Sequence, residues 1–429
     1  MKNYNQPEIV ISGVGVTSAI GQGKPAFTSA LLEGRHNFGV MQRPGRQAVW
    51  PLGEKQATMP VGKTTQTEQA TTFLGAEISS LSIPESIPKA LLRTASFSTQ
   101  VALVSLDEAW TEAKLDEVAS ERIGLVVGGS NFQQRELIQT HQAYQNRSAF
   151  LRPTYAMSFM DSDLCGLCSE VFGIRGFAYT IGGASASGQL SVVQAVQAVK
   201  SGQVDVCIAI GALMDLSYWE CQGFRTLGAM GSDRFAKEPA LAARPFDQDR
   251  DGFIFGESCG VVIIENADSA KNREIDLYAR LSGTAIGMDG NRNPNPSFKG
   301  EVNVIQNVLN QAELSPQEID YINPHGTGSL IGDVTELKAI HHCKLNQAYI
   351  NATKSIIGHG LSAAGTVEII ATLLQMKAGR LHPTRNLDNP IETAYNWVKH
   401  QAISHDIKNA INLSMGFGGI NTAVCLQKI

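Results

Sequence analysis

The chain has 429 residues, of which 43% are apolar and 17% charged, and its formal net charge is −5. That composition fits a globular chain large enough for two fused units around a substantial core. Its Lys and Arg residues are scattered rather than clustered, so no basic stripe presents itself to a nucleic-acid backbone, and nucleic acid is not an expected partner.

The opening stretch, MKNYNQPEIVISG, lacks the charged-then-apolar pattern of a signal peptide. Apolar runs such as CGVVII and VCIAI are too short to cross a bilayer. A cytoplasmic protein without membrane contact is expected. β-branched runs ending in glycine then recur along the chain: EIVISGVGV, IGLVVGGS, DVCIAIGALM, CGVVIIE, YARLSGTAIG, AINLSMGFGG and TAVCLQKI. Helical stretches such as VALVSLDEAWTEA and VNVIQNVLNQAEL alternate with them. The alternation predicts an α/β fold. Arg35 to about Lys89 and Asn131 to Tyr155 have weak periodicity and are expected to be excursions from the scaffold. The polar ENADSAKNRE, Glu265 to Glu274, separates two parts, each opening on a glycine-ended strand and closing on a pair of strands.

Seven cysteines, an odd number, make no disulfide framework and suit a reducing compartment. The one close pair, Cys165 and Cys168 in DLCGLC, has no second pair and no His pair at ligand spacing. It reads as small apolar residues on a buried helix, and no metal is expected.

Residues 183–202, GASASGQLSVVQAVQAVKSG, align without gaps on residues 360–379, GLSAAGTVEIIATLLQMKAG, with six identities. These are Gly183 with Gly360, Ser185 with Ser362, Ala186 with Ala363, Gly188 with Gly365, Lys200 with Lys377 and Gly202 with Gly379. The match predicts a duplicated α/β unit whose two helix openings face each other across a pseudo-twofold axis. A stretch as bare as IGGASASGQL suits a helix start that packs closely on its twin, and it equally suits a loop that brings one reactive atom, Ser185 or Ser187, forward.

The second half holds NPHGTGSLIGDVTE, Asn323 to Glu336, and NATKSIIGHGLSAAG, Asn351 to Gly365. Each places one histidine, His325 or His359, in a loop of small residues before a helix, and Lys354 stands five positions ahead of the second. A lone loop histidine is commonly a structural hydrogen bonder, but two in glycine-flanked loops form an unusual collection. Near the C-terminus NLSMGFGGINT puts Phe417 on a glycine hinge.

These stretches resemble the β-ketoacyl synthases of fatty-acid and polyketide assembly along essentially the whole chain. The shared patterns are NxHGTxxxxGDxxE at Asn323–Glu336, TKSxxGHxxxAAG at Thr353–Gly365, GFGGxN at Gly416–Asn421 and RPFDQDRDGFIFGES at Arg244–Ser258. The resemblance implies a thiolase-type fold: duplicated α/β halves, 1–270 and 271–429, in a five-layered α-β-α-β-α arrangement, forming a homodimer. It also implies that His325 and His359 are the catalytic histidines and that Lys354 and Glu336 are the lysine and its acidic partner that order the site. Phe417 becomes the gating phenylalanine, with Thr327 and Gly418 as further substrate-contacting positions. No cofactor is implied, since the phosphopantetheine arrives on an acyl carrier protein.

One position departs from the family. Where these enzymes have a nucleophilic cysteine, this chain has Ser185. A thiol ionises near pH 8.5, and lower at a helix start, whereas a serine hydroxyl needs a base. Condensation is therefore expected to be lost, while decarboxylation of a malonyl thioester needs only donors aimed at the enolate oxygen. In this the chain resembles the Cys-to-Ser decarboxylating homologues of polyketide β-branching cassettes. That likeness implies conversion of malonyl- to acetyl-carrier protein, with an HMG-synthase-like enzyme acting next in the pathway. The alternatives are a non-catalytic chain-length-factor subunit, which commonly lacks one or both histidines, and a serine-dependent acyltransferase or slow condensing enzyme.

Overall fold

A computed structural model describes residues 8–47 and 72–429. In chain order the first half supplies β1 (Ile9–Ser18), α1 (Phe97–Glu112), β2 (Ile123–Gly128), α2 (Ser162–Phe172), β3 (Phe177–Ile181), α3 (Ser187–Lys200), β4 (Val206–Gly211) and β5 (Ser258–Asn266). The second half follows with β6 (Ala279–Met288), α4 (Phe298–Ala312), β7 (Tyr321–Asn323), α5 (Gly332–His342), β8 (Tyr349–Ile350), α6 (Lys354–Ile357) and α7 (Ala364–Ala378). The short β9 (Asn396–Trp397) and the hairpin of β10 (Asn409–Gly416) and β11 (Ile420–Gln427) complete it.

The halves share one plan. Strand order is β1-β5-β4-β2-β3 in the first and β6-β11-β10-β7-β8-β9 in the second. In each, the first three strands of that order are antiparallel neighbours and the rest add in parallel. The two sheets join through a brief β1–β6 pairing at Val10↔Arg280 and Ile11↔Ala279. Strands β1, β2 and β4 are buried along their whole length, as sheets covered on both faces require, and their Val- and Ile-rich sequences meet that demand.

Helices α1 and α2 cover the outer face of the first sheet, and α4 and α5 that of the second. Between the sheets lie α3 and α7, packed on each other and on strands of both halves. The result is the five-layered thiolase-type arrangement expected from the sequence. Every residue of α7 from Ala364 to Met376 is buried, so this helix is enclosed all round.

The internal repeat maps onto these central helices. Each is preceded by a tight turn, Ala184–Ala186 before α3 and Leu361–Ala363 before α7. The twin positions Ala184 and Leu361 hold φ values of 47° and 51°, a left-handed conformation that residues other than glycine rarely adopt. Gly188 and Gly365 allow the two first turns to touch. A Cβ on Gly188 would stand 2.7 Å from Ser362 O, and one on Gly365 would stand 2.6 Å from Gln189 N.

Asn131–Tyr155 is more ordered than its composition suggests. It forms a helix, Gln134–Tyr144, anchored where Arg135 Nη2 meets Asp215 Oδ2 at 2.8 Å. Within the Arg35–Lys89 excursion, residues 48–71 lie outside the described residues. The rest supplies strands Phe38–Val40 and Leu74–Ala76, which pair with Phe255–Gly256 in a small sheet. Cys165 and Cys168 are buried on α2. Among the described residues no group of His, Cys, Asp or Glu is placed to hold a metal ion, and no helix is long and apolar enough to cross a membrane.

Candidate active site

The tight turn before α3 ends a parallel strand, β3, and lifts Ser185 into a cavity of about 490 Å³. Ser187 holds that turn together: its Oγ accepts the Gly183 N–H at 2.8 Å and donates to Ala184 O at 2.7 Å. Ser187 is thus committed to its own turn, and Ser185 carries the hydroxyl that faces the cavity. Ser414 Oγ caps the Ser185 carbonyl from β10.

His359 comes from the loop between α6 and α7, and its Nε2 stands 2.9 Å from Ser185 Oγ. His325 follows β7, and its ring lies 5.5 Å from that of His359, centre to centre, at 84°. Phe253 stands edge-on against His359 from another side at 5.2 Å. Thr327, Glu336 and Phe417 line the same cavity. Phe417 sits at its mouth, partly exposed, with its ring 6.3 Å from Phe224. Gly418 is off the cavity wall. Its φ of 93° makes it the hinge behind Phe417 rather than a lining residue.

Lys354 stands behind the histidines, nearly fully buried. Its Nζ donates to His325 O and pairs with Glu368 Oε1 on α7, each at 2.5 Å. The acidic partner expected at Glu336 is therefore Glu368. Glu336 instead fixes the loop that carries His325, because its two oxygens accept the backbone N–H groups of His325 at 2.6 Å and Gly326 at 2.8 Å. Asp333 does the same one turn earlier for Gly328 and Phe246, at 3.0 and 2.6 Å. Glu368 escaped the sequence reading, although a single glutamate inside the apolar run GTVEIIATLLQM was a usable signal.

Burial, and next the Lys354 charge, hold both imidazoles well below the usual histidine range, and His325 feels His359 as well. Burial pushes the Glu336 and Glu368 carboxyls up to about 7, against the N–H donors on Glu336 and the Lys354 charge beside Glu368. Two neutral imidazoles therefore face one cavity, each with one N–H to donate. The Nδ1 atoms of both are enclosed without a partner among the described residues, so no carboxylate stands behind His359 to make it a strong base toward Ser185. The arrangement suits stabilising an oxyanion better than activating a hydroxyl.

Residues 6–270 match the beta-ketoacyl synthase N-terminal domain and residues 278–388 the beta-ketoacyl synthase C-terminal domain. The chain is 60% identical over 429 residues, 100% of its length and 98% of the relative's, to the polyketide biosynthesis malonyl-ACP decarboxylase PksF of Bacillus subtilis. It is 30% identical to 3-oxoacyl-[acyl-carrier-protein] synthase 1 of Buchnera aphidicola, over 98% of this chain and 99% of that one. Among solved structures, the ishigamide ketosynthase/chain length factor superposes with a TM-score of 0.85 at 24% identity, covering 99% of this chain and 100% of that one.

Because folded-state values below 6.5 leave these groups unprotonated where a free imidazole is half charged, both rings stay neutral at pH 6.5. Ring-nitrogen NMR shifts check this. An imidazolium signature for either His325 or His359 at that pH contradicts the electrostatic account.

Proposed function

This chain belongs to the β-ketoacyl synthase family, and from that membership we propose that it carries out half of the family's reaction, decarboxylating malonyl-acyl carrier protein to acetyl-acyl carrier protein. The observation that carries the reading is Ser185 at the nucleophile position, hydrogen-bonded to a His359 that has no carboxylate behind it among the described residues, with His325 still in place. The full-length identity to a malonyl-ACP decarboxylase supports the same conclusion.

The chemistry follows from the donors. The malonyl thioester oxygen lies between His325 and His359 and accepts from both. As the C–C bond to the carboxylate breaks and carbon dioxide leaves, the electron pair moves onto that oxygen, and both hydrogen bonds strengthen as charge develops. Burial and then the Lys354 charge keep the rings neutral, and Lys354, paired with Glu368, anchors the His325 carbonyl. Glu336 holds the His325 loop. Phe417 places an apolar ring by the departing carboxylate, which disfavours the charged ground state. Thr327 lies on the wall along which the thioester enters. With no acyl-enzyme to attack, the enolate takes a proton. A resident cofactor is not required, since the pantetheine arm belongs to the carrier.

The chain-length-factor reading fits less well because both histidines are present and meet in one cavity. The acyltransferase reading fits less well because no carboxylate among the described residues stands behind His359 to make it a strong base toward Ser185. In pathway terms, the acetyl-carrier product is the donor that an HMG-synthase-like enzyme adds to a β-keto chain during β-branching. Seven buried free cysteines accord with the cytoplasm as the place of action.

A homodimer is supported by an edge of the first sheet that no other strand pairs among the described residues. Strand β3 ends the sheet with Ala178 and Tyr179 exposed, and Phe150, Met157, Phe159 and Met160 are exposed large apolar side chains in the segment ahead of α2. An unpaired edge beside apolar groups favours twofold pairing with a second copy. Light scattering at micromolar concentration should give twice the chain mass, and a stable monomer contradicts this.

Replacing either His325 or His359 by Ala should slow acetyl-carrier formation by about 10²-fold or more, with a smaller change in carrier binding. Circular dichroism confirms that the variants fold. Ser185→Cys should form a covalent adduct with an acyl donor, seen by mass spectrometry, while still decarboxylating. Wild-type rates in both histidine variants would overturn the decarboxylase assignment.

A further inference from the structure

Decarboxylation without condensation leaves a proton to be supplied. Both imidazole N–H groups are engaged at the enolate oxygen, and the Ser185 hydroxyl is a much weaker acid than a carboxylic acid. We infer that Glu301, on the first turn of α4, is the acid that protonates the enolate carbon. This rests on the decarboxylase reading above.

Glu301 lines the same cavity as Ser185, His325, His359 and Phe417. Its side chain is 1% exposed, and its Oε2 is enclosed with no hydrogen-bond partner among the described residues. An unpartnered carboxyl of this kind costs stability unless it is neutral. The turn that carries it is fixed: Ser297 Oγ accepts the Gly300 N–H at 3.1 Å, and the Glu301 N–H reaches Ser297 O at 2.9 Å.

Two other carboxyls stand close, and both are served by donors. Glu336 takes two backbone N–H groups, and Asp289 Oδ1 takes Asn421 Nδ2 at 2.9 Å. Glu301 has no such donor on its Oε2 among the described residues, and a buried carboxyl left without one favours its protonated form. Burial, then the charges of Glu336 and Asp289, push it well above the usual carboxylate range.

The step balances. The bond from C2 to the malonyl carboxylate breaks, carbon dioxide leaves, and the electron pair passes into the enolate. The Glu301 O–H bond then breaks as the C2–H bond forms, giving the acetyl thioester and a Glu301 carboxylate. Solvent returns the proton before the next turnover.

The test follows carbon dioxide release and acetyl-carrier formation by rapid quench with malonyl-loaded carrier protein. Wild type should yield both. If it yields neither, the decarboxylase reading itself fails and this inference fails with it. Glu301→Gln keeps the shape and removes the acid. It should form acetyl carrier about 10²-fold more slowly at unchanged KM, with first-turnover carbon dioxide outrunning acetyl carrier. Glu301→Asp, still an acid, should retain more turnover than the Gln variant. A Gln variant at the wild-type rate overturns the proposal. Equal losses in the Gln and Asp variants, with lowered thermal unfolding midpoints, overturn it too, because they mark a structural role.

Discussion

Contact between the first turns of α3 and α7 is the constraint on which the rest of the molecule depends. Only where Gly188 faces the backbone of the turn before α7, and Gly365 that of α3, can two helices from different halves approach this closely. That approach brings Ser185 within 2.9 Å of His359, although the two are far apart in the chain. It also stacks the sheets on either side, so the layers and the site share one origin. The left-handed turns at Ala184 and Leu361 are strained locally and are held by the packing around them.

A second constraint is electrostatic. A buried lysine and glutamate, Lys354 and Glu368, are in direct contact within α6 and α7. Taking two charges out of water is costly, and removing one partner of such a pair typically costs about 3–5 kcal/mol because the other is left stranded. What the pair secures is a positive charge close behind two imidazoles, which adds to burial in keeping them neutral. A neutral imidazole keeps one N–H for a developing oxyanion without the cost of a buried charge in the ground state, and that property does not depend on whether position 185 carries a thiol or a hydroxyl. The two histidines and the lysine of the family pattern thus remain while Ser185 stands where the family has a cysteine.

The long strands could be read from the sequence because a strand buried on both faces must be β-branched throughout and ends where glycine allows a turn. Strands β7, β8 and β9 are two or three residues long, too short for any periodicity, and β3 is five residues with none fully buried, so it shows no alternation to read. The helix Gln134–Tyr144 was missed because its surface is polar and its anchor, Arg135 to Asp215, lies between residues distant in sequence. In the site, His325, His359 and Lys354 stood out through their glycine-flanked loops. The partner of Lys354 did not, because Glu368 lies a full helix turn into a different element and only packing shows which carboxylate is near. Glu301 was hidden for the same reason: in SFKGEVN it looks like an ordinary solvent-facing residue at a helix start.

The central claim is that the reaction ends at acetyl-carrier protein, short of condensation, because Ser185 is never acylated. Its most direct test is the intact mass of both proteins after incubation with malonyl-loaded carrier protein. The account predicts a carrier lighter by one carbon dioxide, bearing acetyl, and an unchanged mass for this chain. An acyl adduct on Ser185, at the rate the carrier is converted, would contradict it.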